Sequence, residues 1–197
     1  MGSSSWNRPA KSLRRFSAVA ALLLLIGSAG CQSPRATGVL PPTTQQSAWD
    51  VCFSPKGGCT DLIVNALAQA KSTVHVQAYS FTSQPIAQAL IDAHRRGVSV
   101  EVILDRSQLK GEGVQTGFMA QAGLPVRIDA VHAIAHNKIM LIDGETVITG
   151  SFNFTNSAEE RNAENLLVVR DRVLAERYEA NWQKHKLHSE VYQTPER

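Results

Sequence analysis

Apolar residues recur with two different spacings along the chain, and the switches between them mark out its elements. Leu62, Ile63, Ala66, Leu67 and Ala70 form a stripe at helical spacing, so residues 60–71 read as a helix with Thr60 as its cap. Residues 73–79 alternate as a strand. A second helix spans 83–96, with Pro85 early and Gly97 at its end. An apolar-rich strand follows at 98–104, then a glycine-containing loop at 110–117, a short helix at 118–122 and a short strand at 126–128. Ile139, Leu141, Val147 and Thr149 are strand formers around the turn signal Asp143-Gly144, which predicts a hairpin of 138–142 with 145–150. Residues 165–170 form another strand. Leu174, Tyr178 and Trp182 give a final helix, 171–188, its core face. This order predicts an α/β fold, a mixed central sheet flanked by helices.

The first thirty residues differ in kind. Basic residues reach to Arg15, an apolar run follows from Phe16 to Ile26, and Gly-Ser-Ala-Gly precedes Cys31. Eleven residues are too few for a membrane span of about 20, so residues 1–31 read as an export signal. Cys31 after Ala29-Gly30 also suits lipoprotein processing, which would lipidate Cys31; simple cleavage is the alternative. Residues 32–48, with Pro34, Pro41 and Pro42, read as a flexible tether, 49–190 as the folded domain and 191–197 as a tail. An exported protein enters an oxidising compartment, where Cys52 and Cys59 are an even pair suited to a disulfide.

Charge changes the picture less than it first suggests. The net +3 owes four basic residues and no acid to positions 1–30; the remainder carries 16 basic against 17 acidic residues, a formal −1. Overall charge therefore gives no support for nucleic-acid binding.

The densest chemistry lies in and around the hairpin. Period 2 puts His136 and Lys138 on one face of a strand, and the hairpin returns Gly150, Ser151 and Asn153 to the same end of the sheet. An imidazole, an ammonium, a hydroxyl and an amide then converge as an anion site. His132 and His136 have a metal-ligand spacing for a helix, but the segment reads as loop into strand and lacks an adjacent Glu, so no metal is assigned. Ser151 lacks the glycine that closes a nucleophile elbow.

His136-x-Lys138-x4-Asp143 with Gly150-Ser151-x-Asn153 resembles the HKD motif of the phospholipase D superfamily. Ala78-Tyr79-Ser80-Phe81-Thr82, Phe154-Thr155 and Asn162-Ala163-Glu164-Asn165 make it similar to the small bacterial endonucleases with one motif per chain and resistance to EDTA. The resemblance covers roughly residues 50–185. It implies a phospholipase D-like α/β/α sandwich and metal-independent phosphodiester cleavage without a cofactor. His136 would attack phosphorus to give a phosphohistidine, and a second His136 would protonate the leaving oxygen. Lys138 and Asn153 would hold the phosphoryl oxygens with Ser151 in support, and Glu164 would orient the imidazole. Asp143, at the hairpin turn, is expected to be structural, an anchor for backbone groups or a basic side chain.

No second motif occurs, so the resemblance further implies a C2 homodimer with the motifs meeting at the axis. The expected substrate is DNA, with RNA as an extension, cut without sequence preference. Arg95, Arg96, Arg106, Lys110 and Arg161 are candidates to flank the cleft and meet backbone phosphates. The alternatives are a phospholipase or cardiolipin hydrolase, favoured by a lipid anchor, and a catalytically silent nucleic-acid-binding module. The expected location is periplasmic or membrane-anchored, with lipidated Cys31 as the only membrane contact.

Overall fold

The structure is a computed structural model that describes residues 48–194. The export signal, nearly all of the tether, Cys31 and the last three residues of the tail lie outside the described residues.

Eight strands form one mixed sheet in the order β1-β7-β6-β5-β2-β3-β4-β8. They are β1 Trp49–Ser54, β2 Thr73–Ala78, β3 Ser99–Asp105, β4 Val126–Asp129, β5 Lys138–Ile142, β6 Thr146–Gly150, β7 Glu164–Arg170 and β8 Glu190–Val191. The helices are α1 Cys59–Gln69, α2 Gln84–Arg95, α3 Thr116–Gln121, α4 Asn156–Glu160 and α5 Arg172–His188. Strands β2, β3 and β4 are parallel, as their helical crossovers require, and β5, β6 and β7 run antiparallel beyond them. Among the described residues, no helix is long and apolar enough to cross a membrane.

Alternation along the central strands feeds two cores. Val74, Val76, Met140, Ile142, Ile148, Leu166 and Val168 face Ile63, Leu67, Leu90 and Ile91 of α1 and α2. On the other face Ile139, Leu141 and Val147 meet α5, anchored by Trp182. That indole is fully buried, donates to Val76 O at 3.0 Å and stacks on His75 at 4.2 Å. α5 leaves the β1 side of this face uncovered. Trp49, Val51 and Phe53 point outward there, while Cys52 and Ser54 point inward, so the edge strand has its large apolar residues on the exposed side.

Helix α1 begins at Cys59, one residue before the sequence reading. Thr60 is not its cap: Glu159 of α4 accepts from Gly58 N and Thr60 N at 2.9 and 2.7 Å. Cys52 and Cys59 are joined by a disulfide with Cα atoms 5.5 Å apart, which ties β1 to this helix start.

Candidate active site

The carboxyl ends of β1, β2, β3, β4 and β6 and the amino ends of β5 and β7 all lie at one end of the sheet, and the candidate residues gather there. Backbone pairing continues past β2, with Tyr79 N donating to Asn137 O at 2.8 Å. This fixes the segment that carries His136. Its ring is exposed and packs against Tyr79 with centroids 4.6 Å apart. Tyr79, which the sequence offered only as part of the family resemblance, is the wall of the site.

Lys138 is 8% exposed, with its Nζ donating to His136 O at 3.1 Å and lying 5.2 Å from the Tyr79 ring centre. Burial pushes its ammonium below the ordinary lysine range, and the Glu164 carboxylate pulls the other way. A buried cation with one hydrogen-bond acceptor among the described residues keeps donors for an anion. Asn153 follows the end of β6, and its Oδ1 is buried without a hydrogen-bond partner among the described residues. Which amide atom points there is a matter of the side-chain flip, so either end can meet a ligand. Ser151 is exposed and its Oγ accepts from Asn165 N at 3.1 Å and from Asn165 Nδ2 at 3.3 Å. Gly150 is required at this corner: its φ is +145°, and a Cβ would stand 2.2 Å from Asn165 O.

Glu164 starts β7, with its backbone N donating to Ser54 Oγ at 3.2 Å and its Oε1 accepting from Asn162 Nδ2 at 3.1 Å. Its electrostatic partner is Lys138; among the described residues no hydrogen bond joins it to His136. Another nearby carboxylate, Glu159, is engaged at the start of α1. A hollow between the starts of α1 and α2 is lined by Lys56 together with Asp61, Glu159 and Glu160. One cation among three carboxylates does not favour a phosphate there.

Asp143 lies at the opposite end of the sheet. Its Oδ1 accepts from Ser72 N at 2.7 Å, Ser72 Oγ at 2.8 Å and Thr73 N at 3.0 Å, and its Oδ2 from Lys71 N at 2.9 Å. Partial burial raises its pKa, but these donors win and hold the carboxyl below the ordinary range.

The five basic residues expected around the cleft divide. Arg106 donates to Ala133 O in the loop before His136, Lys110 follows on the same side, and Arg161 leads from α4 towards β7. Arg95 and Arg96 are a correction. α2 runs back across the sheet, so its last turn lies at the Asp143 end, where Arg96 Nη2 donates to Leu67 O at 2.9 Å and Arg95 pairs with Asp92. They do not flank the site.

A family model described as cardiolipin synthase, PLD-like domain, matches residues 63–186. The phospholipase D of Rickettsia typhi is 46% identical over 141 residues, covering 72% of this chain and 69% of that protein. The mitochondrial cardiolipin hydrolase of Xenopus tropicalis is 34% identical over 118 residues, covering 60% of this chain and 56% of that protein. The structure of Nuc from Salmonella typhimurium, a phospholipase D family member, matches with a TM-score of 0.71 at 36% identity, over 74% of this chain and 97% of that one.

Proposed function

The chain belongs to the phospholipase D superfamily, and from that premise we propose that it is an exported, metal-independent endonuclease of low sequence preference, acting on DNA and by extension RNA. The observation that carries this reading is the trio of an exposed His136 ring, the buried Lys138 ammonium and the Asn153 Oδ1 that has no partner among the described residues, at one strand end. They supply the nucleophile and the phosphoryl-oxygen donors that phosphodiester cleavage needs, with no Lewis acid in the scheme. His136 attacks phosphorus and the ester oxygen leaves with a proton from the second copy's His136. Water then cleaves the phosphohistidine, with the same second imidazole as base. Likeness to Nuc over nearly its whole length supports nucleic acid as substrate. The disulfide supports export to an oxidising compartment.

A homodimer completes this scheme. Trp49 and Phe53 are 56% and 66% exposed, and with Val51 they form an apolar stripe on β1. Its Phe53 end pairs with Asn165, the partner of Ser151. A second copy seated on this stripe would bring a second His136 to the site. Replacing Val51 and Phe53 by Glu is expected to give monomers in sedimentation and to abolish cleavage; an active monomer overturns the dimer.

A lipid phosphodiesterase is the second reading. Val131 and Ile134, 66% and 55% exposed in the loop before His136, could enter a bilayer surface, and two relatives bear lipid-hydrolase names. Plasmid DNA and cardiolipin vesicles, each offered in excess EDTA at a temperature where the chain stays folded, decide between them. DNA cleavage lost in His136→Ala supports the nuclease; vesicle hydrolysis without DNA cleavage supports the lipase.

A further inference from the structure

A second cluster of ionisable side chains lies apart from His136, Lys138 and Asn153. Asp129 ends β4 with its side chain fully buried. Three imidazoles converge on this carboxylate: His185 Nδ1 at 2.7 Å, His132 Nδ1 at 3.2 Å and His188 Nε2 at 3.2 Å. The ring centroids are 5.0–5.2 Å from one another. His185 and His188 stand three apart on the last turn of α5, so both face the same way, and His132 reaches across from the loop after β4. One ligand atom from each of the four residues lies within 4.8 Å of all the others.

We propose that Asp129, His132, His185 and His188 bind one zinc(II) ion as a structural staple. Three imidazoles and one carboxylate are the borderline-soft N/O set that zinc prefers, whereas calcium and magnesium take oxygen ligands. Four protein ligands fill a tetrahedron and leave no open position, which makes the ion structural rather than catalytic. Ligands about 2.0–2.1 Å from zinc stand roughly 3.3 Å apart, so the cluster needs only to close around the ion. His132, 44% exposed and on a loop, is free to make that movement. As a purely polar cluster the arrangement is awkward, because it crowds three imidazoles onto one buried carboxylate.

The staple would act on the site through the chain. The segment from Asp129 to Ala135 leads directly into His136, and its other ties are Arg106 Nη2 to Ala133 O and Ala135 N to Asp105 Oδ2. A zinc ion would fasten it to α5 as well. The pairing of His132 with His136 considered from sequence is replaced by His132 with a helix end far along the chain.

The test uses the full chain, stripped with a chelator and then titrated with zinc(II), and with cobalt(II) as the spectroscopic probe. One equivalent should bind, cobalt should show the visible spectrum of a tetrahedral site, and zinc at a hundredfold excess over its Kd should raise Tm by roughly 5 °C or more. His185→Ala/His188→Ala should lose at least a hundredfold in affinity. His132→Ala, which alters only a loop side chain and should fold, should lose at least tenfold. His136→Ala should bind zinc like the wild type. Absence of zinc binding by the wild type, unchanged affinity in both ligand variants, or loss of the metal in His136→Ala would each overturn the proposal.

Discussion

The two ends of the sheet use the same kinds of polar groups in opposite ways. At the hairpin turn, Asp143 meets four donors from residues 71–73 and its oxygens are fully engaged. At the other end, among the described residues, Lys138 Nζ donates to one backbone acceptor, the His136 ring packs against Tyr79, and the Asn153 Oδ1 has no partner. A saturated carboxylate holds two chain segments together; a set of unsaturated groups at a strand end is held ready for something else. His136, Lys138 and Asp143 belong to one run, residues 136–143, whose two ends do separate jobs at opposite ends of the sheet. Measurements that separate activity from stability should therefore divide the motif.

The largest effect is expected at His136. His136→Ala should lower kcat by at least a thousandfold, because the nucleophile is removed rather than weakened. Its ring is exposed and makes one aromatic contact, so Tm should stay where it is. Substantial residual cleavage by the purified variant would end the nucleophile assignment.

Asp143→Asn should reverse that profile. An amide cannot accept from all these donors as a carboxylate does, and about 3 kcal/mol of stability should be lost while activity per folded molecule persists. The pH dependence follows from the sign. A carboxyl whose folded pKa is depressed contributes stability that is complete above its unfolded value, near 3.9, and disappears as pH falls through the lower folded value. Wild type and variant should thus converge in stability in acid. A gap that persists there means that the charge is not what holds the turn.

Opening the disulfide comes next. Cys52→Ala/Cys59→Ala removes a link across seven positions and should cost roughly 2–3 kcal/mol in the chain-entropy model. Denaturant unfolding reads it. Cleavage should persist, because the bond tethers β1 and α1 and neither cysteine reaches the site.

Much of this division was legible in the sequence, and the parts that were not have definite causes. The hairpin and the helices α1, α2 and α5 followed from period and turn chemistry. β1 did not, because its inward residues are Cys52 and Ser54 while its large apolar ones face outward, and its partner β7 lies far along the chain. α4 is a single short turn whose Glu159 caps a helix it does not belong to. Arg95 and Arg96 were misplaced although the rule was available: a helix that follows one parallel strand and precedes the next ends at the strands' starting edge. The histidine cluster needed the fold itself, since only docking of α5 brings His185 and His188 to Asp129.

The smallest effect concerns Glu164, where sequence and geometry give different emphasis. The family resemblance made it the holder of the imidazole; in the structure its field acts on Lys138. Glu164 favours the charged lysine, so Glu164→Gln should take away the raising influence and leave burial, which lowers, to act alone. The Lys138 pKa should fall further, and cleavage should drop by about tenfold as a phosphate donor becomes harder to keep protonated. NMR titration of lysine Cε resonances, assigned with Lys138→Arg, reads the shift directly. A Lys138 midpoint that rises or stays fixed would refute the coupling. A moved His136 midpoint beside an unmoved Lys138 would give the carboxylate back to the imidazole.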